Sequence, residues 1–147
     1  MSLDGQLKAV VNVKIPYQDA DPAGVAWHGN YFRYFDLARC ALLDKFNYGY
    51  REMEAAGHVW PIVDAKVRYV QTVSYDDEIT VEALLVESEY RLKIKYEVRD
   101  ASGRRVTKGE TTQVAVTIAT GELCLGSPQV LFDRLEELEK RLSQVED

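Results

Sequence analysis

The residues best suited to chemistry lie in one run, Asp19-Ala20-Asp21-Pro22-Ala23-Gly24-Val25-Ala26-Trp27-His28-Gly29-Asn30-Tyr31. Two carboxylates sit in a segment rich in turn formers, and the run leads straight into a helical periodicity. The first turn of a helix has free N–H groups and the positive end of the backbone dipole, so it can polarise a carbonyl and stabilise an oxyanion. A carboxylate held nearby can attack that carbonyl or activate water. The run therefore contains both parts of an acyl-transfer site. An oxyanion donor can be worth ~3–4 kcal/mol in the barrier, so the backbone matters as much as the acid.

Other readings of the same residues stand beside this one. Asp19 and Asp21 also suit plain turn positions before Pro22 and Gly24. A calcium loop fails, because the twelfth position from Asp19 is Asn30 and not a bidentate Glu. His28 fits a hydrogen-bonded structural role as well as a functional one at the helix start, and His58 reads as surface or loop. Two His and no paired Cys leave no catalytic zinc set. No Gly-x-Ser-x-Gly elbow appears.

The elements that must position this run follow from periodicity. Val11, Val13, Ile15 and Tyr17 alternate with Asn12, Lys14 and Pro16, which predicts a half-buried strand in which Pro16 marks a strand end or an edge. From about Gly29 to Phe46, Tyr31, Tyr34, Phe35, Ala38, Ala41, Leu42 and Phe46 share one face, which predicts a long central helix. Asp36 and Arg39 are spaced for an ion pair, and Asn30 for capping that helix or bracing the loop. A short helical piece is expected between Gly49 and Gly57. Strand alternation returns around Val63–Val70, Ile79–Leu85 and Leu92–Val98, and then runs from Val106 to Ile118. Short connections predict that successive strands are antiparallel neighbours. Ser127 and Pro128 suit the N-cap and first turn of a last helix with a Leu131, Leu135, Leu138, Leu142 stripe, expected to pack on the body, with a subunit contact as the alternative. Arg68, Arg91, Lys93 and Lys95 read as a solvated strand face, with some of them able to hold phosphates. The order describes one α+β domain over 1–147, an antiparallel sheet wrapped around one long helix, with an amphipathic C-terminal helix.

Composition sets the outer limits. The chain has 147 residues, 46% hydrophobic and 29% charged, with a formal net charge of −6. That length buries a real core, and an acidic chain has no general attraction for nucleic acid or an anionic membrane. Cys40 and Cys124 form no metal or redox motif and read as reduced thiols. Residues 1–10 lack a charged segment followed by an apolar core, and no apolar run could span a bilayer. The expectation is a cytoplasmic protein.

The pattern Asp19-x-Asp21-x-x-Gly24-x-x-x-His28-x-Asn30-Tyr31, followed by Phe35-Asp36-x-Ala38-Arg39, resembles the 4-hydroxybenzoyl-CoA thioesterase family and its Tol-Pal-associated relatives. Asp21-Pro22-Ala23-Gly24 and Trp27 resemble the first branch and His28 the second. Pro61-Ile62-Val63-Asp64 through Arg68-Tyr69 resembles the family's next strand. The resemblance implies a hotdog fold and an acyl-CoA thioesterase acting as a homodimer or homotetramer, with sites at subunit interfaces. It implies that Asp21 is the catalytic carboxylate, as nucleophile or general base. It also implies that the His28 N–H polarises the thioester carbonyl while the His28 side chain orients the loop or contacts substrate. Asp19, Gly24, Trp27, Asn30 and Tyr31 are the expected substrate-binding positions. No metal or bound cofactor is expected, because CoA arrives with the substrate. The chain departs from many relatives in lacking Ser-Phe after a basic residue near Arg91-Leu92-Lys93. A thioesterase for acyl-carrier-protein substrates and a non-catalytic acyl-CoA-binding or scaffold protein of the same fold are the alternatives.

Overall fold

Alternating side chains build the sheet, and one aromatic helix fills its concave face. The computed structural model describes residues 3–146, with side chains through 144; Met1 and Ser2 of the N-terminal stretch lie outside it. Strand β1 (Lys8–Lys14) ends before Pro16 and sends Ile15 into the core at 1% exposure. Tyr17, at the end of the same alternation, is instead 77% exposed, because the chain has already turned into a short 3-10 segment, Tyr17–Asp19.

A second 3-10 turn, His28–Asn30, runs directly into helix α1 (Tyr31–Lys45). Helix α2 (Tyr50–Ala55) and a two-residue strand β2 (His58–Val59) follow. Strands β3 (Ile62–Tyr69), β4 (Glu78–Glu87), β5 (Leu92–Arg99) and β6 (Arg105–Gln113) come next, then β7 (Val116–Thr117) and helix α3 (Gln129–Glu146). The main sheet is antiparallel in the order β1-β4-β5-β6-β3. It wraps α1, which gives the hotdog architecture. Tyr34, Phe35, Ala38, Leu42 and Leu43 of α1 are buried, as are Val81, Ala83 and Leu85 of β4 and Leu92, Ile94, Tyr96 and Val98 of β5. Gly109 on β6 leaves room for the Phe35 ring of α1. A Cβ there would stand 2.5 Å from Phe35 Cε2, and Phe35 stacks on Tyr96 with ring centroids 4.5 Å apart.

Three expectations about the strands are corrected. The neighbour rule holds for β4–β5–β6, but β3 pairs with β6 at the far edge and not with β4. The segment 70–77 crosses between them. The run from Val106 to Ile118 is not one strand: after Gln113 the chain leaves the sheet, and Val116–Thr117 pairs with His58–Val59. His58 thus belongs to a small second sheet, where it is half-buried. Alternation alone could not register a break that keeps the same parity on both sides.

Helix α3 buries Leu131, Leu135 and Leu138, while Leu142 stays 45% exposed. Ser127 does not act as the expected cap; its hydroxyl donates to the Ser88 carbonyl at 2.5 Å. Asp36 and Arg39 form the expected ion pair. Arg39 is nonetheless buried, and it also donates to the Tyr50 hydroxyl at 2.9 Å. Cys40 and Cys124 are free thiols. Among the described residues no helix is long and apolar enough to cross a membrane.

Candidate active site

The loop from Asp19 to His28 folds back on itself. Ala20 and Ala26 form an antiparallel bridge, and the Trp27 amide donates to the Asp19 carbonyl at 2.9 Å. At the tip, Gly24 N–H donates to the Asp21 carbonyl and Asp21 N–H to the Val25 carbonyl. The tip requires φ +82° at Gly24, a conformation that a Cβ disfavours. The crossing segment holds the loop from one side. Ala26 N–H donates to the Val73 carbonyl at 2.7 Å, and Tyr75 N–H to the Gly24 carbonyl at 3.0 Å. The unexpected β3-to-β4 crossing is therefore what fixes the carboxylate loop on the sheet.

Asp21 is half-buried. Its Oδ1 accepts from the Ala23 amide at 2.9 Å and the Val25 amide at 3.4 Å. Oδ2 has no partner among the described residues. The Ala20–Ala26 bridge sets the chain entering Asp21 beside the chain that enters His28 two residues later. There the helix opens: Asn30 N–H donates to the Trp27 carbonyl and Tyr31 N–H to the His28 carbonyl. The amides of His28 and Gly29 have no hydrogen-bond partner among the described residues. They are the unbonded donors expected at a helix N-terminus.

The structure separates the expected binding residues into two groups. Trp27 (53% exposed) and His28 face outward, with their rings 5.1 Å apart, and Gly24 lies at the loop tip. Asp19 and Tyr31 are each 2% exposed and stand behind the loop. The Asp19 carboxylate accepts from the Tyr34 hydroxyl at 2.8 Å and pairs with Arg33. Burial, together with that bond to Asp19, pushes the Tyr34 phenol well above its ordinary range. Asn30 does not cap the helix; its side-chain amide donates to the Asp19 carbonyl at 2.9 Å and braces the loop.

Sequence reading missed several participants. Gly29 is covered by the Trp27 ring, and a Cβ there would sit 2.3 Å from Trp27 Cζ3. Tyr69 reaches across from β3, its hydroxyl donating to the His28 carbonyl at 2.9 Å. Its ring meets Tyr31 edge-on, and Tyr31 meets Tyr34, so an aromatic ladder runs from β3 to Asp19. A helix-face aromatic carries no mark in sequence of which polar group its hydroxyl meets. Among the described residues no group of His, Cys, Asp and Glu could hold a metal ion.

Comparison with known proteins places the chain in a family. Residues 15–140 match the model of the thioesterase-like superfamily. Over 109 residues the chain is 32% identical to the 4-hydroxybenzoyl-CoA thioesterase of Pseudomonas sp. (strain CBS-3), a stretch covering 70% of this chain and 72% of that one. Among solved structures, the DHNA-CoA thioesterase from Staphylococcus aureus has a TM-score of 0.79 at 24% identity, covering 95% of this chain and 93% of that one. A mutant 4-hydroxybenzoyl-CoA thioesterase complexed with 4-hydroxybenzoyl-CoA has a TM-score of 0.73 at 23% identity, covering 88% and 99%. These two structural likenesses show the shared fold. The family match over most of the sequence, with that level of identity, makes this chain a member of the thioesterase-like superfamily.

Proposed function

We propose that this protein hydrolyses acyl-CoA thioesters and that Asp21 supplies the reacting carboxylate. One observation carries the reading: among the described residues, the loop sets a carboxylate with an unbonded Oδ2 beside a helix start with unbonded amides at His28 and Gly29. The name of the Pseudomonas relative, and the CoA thioester held by a related mutant, support the substrate class.

In this mechanism the thioester oxygen accepts from the His28 N–H, which stabilises the charge that develops as the carbonyl carbon becomes tetrahedral. Asp21 Oδ2 then takes one of two roles. As nucleophile it bonds to the carbonyl carbon, the C–S bond breaks, CoA leaves as a thiolate that takes up a proton, and water cleaves the resulting anhydride. As general base it takes a proton from water, whose oxygen attacks the carbon directly. Both routes give free acid and CoA, and no metal or cofactor takes part. Trp27 and the His28 ring flank the entering substrate, while Asp19, Asn30 and Tyr31 hold the loop from behind.

The same proposal includes a homodimer or larger homo-oligomer formed through β3, working in the cytoplasm. The support is that β3 is an edge strand whose Val63 and Tyr69 are 58% and 44% exposed. An apolar, unpaired edge of this length suits pairing with a second copy. Such pairing would bring a partner strand up to the rim beside Tyr69 and His28.

The test is thiol release from short, medium, long and aromatic acyl-CoAs, with Asp21→Asn alongside. Turnover should fall roughly a hundred- to ten-thousandfold in the variant. Equal turnover by wild type and variant would refute the role of Asp21. No turnover on any CoA thioester, with turnover of an acyl-carrier-protein thioester, would replace the substrate class. Single-turnover hydrolysis in oxygen-18 water identifies the nucleophile route if Asp21 becomes labelled, which happens when water attacks the aspartyl carbon of the anhydride; the general-base route never labels Asp21.

A further inference from the structure

The peptide that opens the central helix is held from outside its own helix. The His28 carbonyl accepts from the Tyr31 amide within the turn and from the Tyr69 hydroxyl on β3 at 2.9 Å. His28 C=O and Gly29 N–H belong to one trans peptide unit. In a planar trans peptide the N–H points opposite to the C=O, so whatever fixes the carbonyl fixes the direction of the N–H. The Tyr31 bond travels with the helix. The Tyr69 bond ties the same peptide to the sheet.

The donor is itself held in place. The Tyr69 ring packs edge-on against Tyr31 at 5.2 Å and against the His28 ring at 6.1 Å. Burial raises its phenol above the ordinary range, so it stays a protonated donor at neutral pH. On the other side the Trp27 ring lies where a side chain at Gly29 would stand. The peptide is thus fixed by a hydrogen bond at one atom and by a ring over the next residue. A donor fixed before the reaction needs no reorganisation as charge develops on the oxyanion.

We infer that Tyr69 is a positioning residue for the oxyanion site: by holding the His28 carbonyl, its hydroxyl aims the Gly29 N–H, beside the His28 N–H, at the thioester oxygen. This role rests on the proposed thioester hydrolysis and adds a second amide and a β3 residue to it.

The experiment is Tyr69→Phe, which keeps the ring and its packing and removes only the hydroxyl. It is assayed on whichever acyl-CoA of the panel turns over fastest. We expect kcat to fall about tenfold, less than for outright loss of an oxyanion donor, with KM nearly unchanged. A second readout is difference infrared spectroscopy of the thioester carbonyl, carbon-13 labelled and bound in the Asp21→Asn background. The carbonyl stretch should move to lower wavenumber on binding, and adding Tyr69→Phe should reverse part of that shift. A loss confined to KM or melting temperature, with kcat and the carbonyl shift intact, would mean a merely structural Tyr69 and overturn the inference. Turnover abolished by Asp21→Asn but untouched by Tyr69→Phe would overturn this role alone. A wild-type protein that neither turns over nor polarises any thioester would overturn the functional reading and this role together.

Discussion

Replacing Asp19 with alanine should destabilise the protein far more than replacing it with asparagine, and the difference should depend on Tyr34. Asp19 and Tyr34 are 2% and 1% exposed, and the Tyr34 hydroxyl donates to the Asp19 carboxylate at 2.8 Å. Alanine leaves a buried phenol without an acceptor, which costs about 1–3 kcal/mol. Losing the Arg33 ion pair adds only ~0–1 kcal/mol, because the Arg33 side chain is 52% exposed. The sum is about 1–4 kcal/mol, and 3 kcal/mol corresponds to roughly 6–12 °C in Tm for a chain of this size. Asparagine keeps a carbonyl oxygen for the hydroxyl, so its cost should stay near ~1 kcal/mol. In the pair Asp19→Ala with Tyr34→Phe no donor is stranded, and the two costs should fall short of additivity by about 1–2 kcal/mol. Urea unfolding of the four proteins of the cycle, at a common m-value, measures this. An additive cycle, or an asparagine variant as costly as the alanine one, would refute the view that the Tyr34–Asp19 bond anchors the loop.

Three further outcomes are expected. Gly109→Ala should cost about 1–3 kcal/mol through overpacking, because its Cβ would meet the Phe35 ring, which is 0% exposed and cannot move off Tyr96; a thermal melt unchanged from wild type would contradict the packing. Burial raises the phenols of Tyr31, Tyr34, Tyr48 and Tyr96 above their unfolded values. Above pH ~10 the unfolded chain loses protons that the folded one keeps, so stability should be full below that pH and decline above it; denaturant midpoints that stay level from neutral to strongly alkaline pH would count against it. Val63→Lys should leave monomer stability within about 0.5 kcal/mol, because the side chain is 58% exposed, while shifting sedimentation toward monomer. An oligomer of unchanged mass would remove β3 as the contact strand.

Much of the fold was legible because burial on one face imposes a period. The α1 face, the Ile79–Leu85 and Leu92–Val98 alternations and the Leu131–Leu138 stripe all lie where their periods put them. The i,i+3 spacing of Asp36 and Arg39 foretold their ion pair. The reading failed where the deciding fact was which strand pairs with which. Parity survives a break at Val114, so β6 and β7 read as one strand. The place of β3 at the far edge follows from its pairing with β6, a long-range contact that no local preference encodes.

The same division holds at the site. Residue type and spacing marked a carboxylate turn running into a helix start, a local arrangement of backbone donors and an acid, and the family resemblance singled out Asp21 and His28 within it. The long-range partners of this loop come from elsewhere in the chain: Val73 holds Ala26 and Tyr75 holds Gly24 from the crossing segment, Tyr34 of α1 holds Asp19, and Tyr69 of β3 holds His28. The sequence by itself determined the chemistry available, since that is written in side-chain types and a single loop-to-helix step. Only the tertiary structure decided which carboxylate is left with a free oxygen and which is locked behind the loop, because Asp19 and Asp21 differ in their contacts and not in their kind.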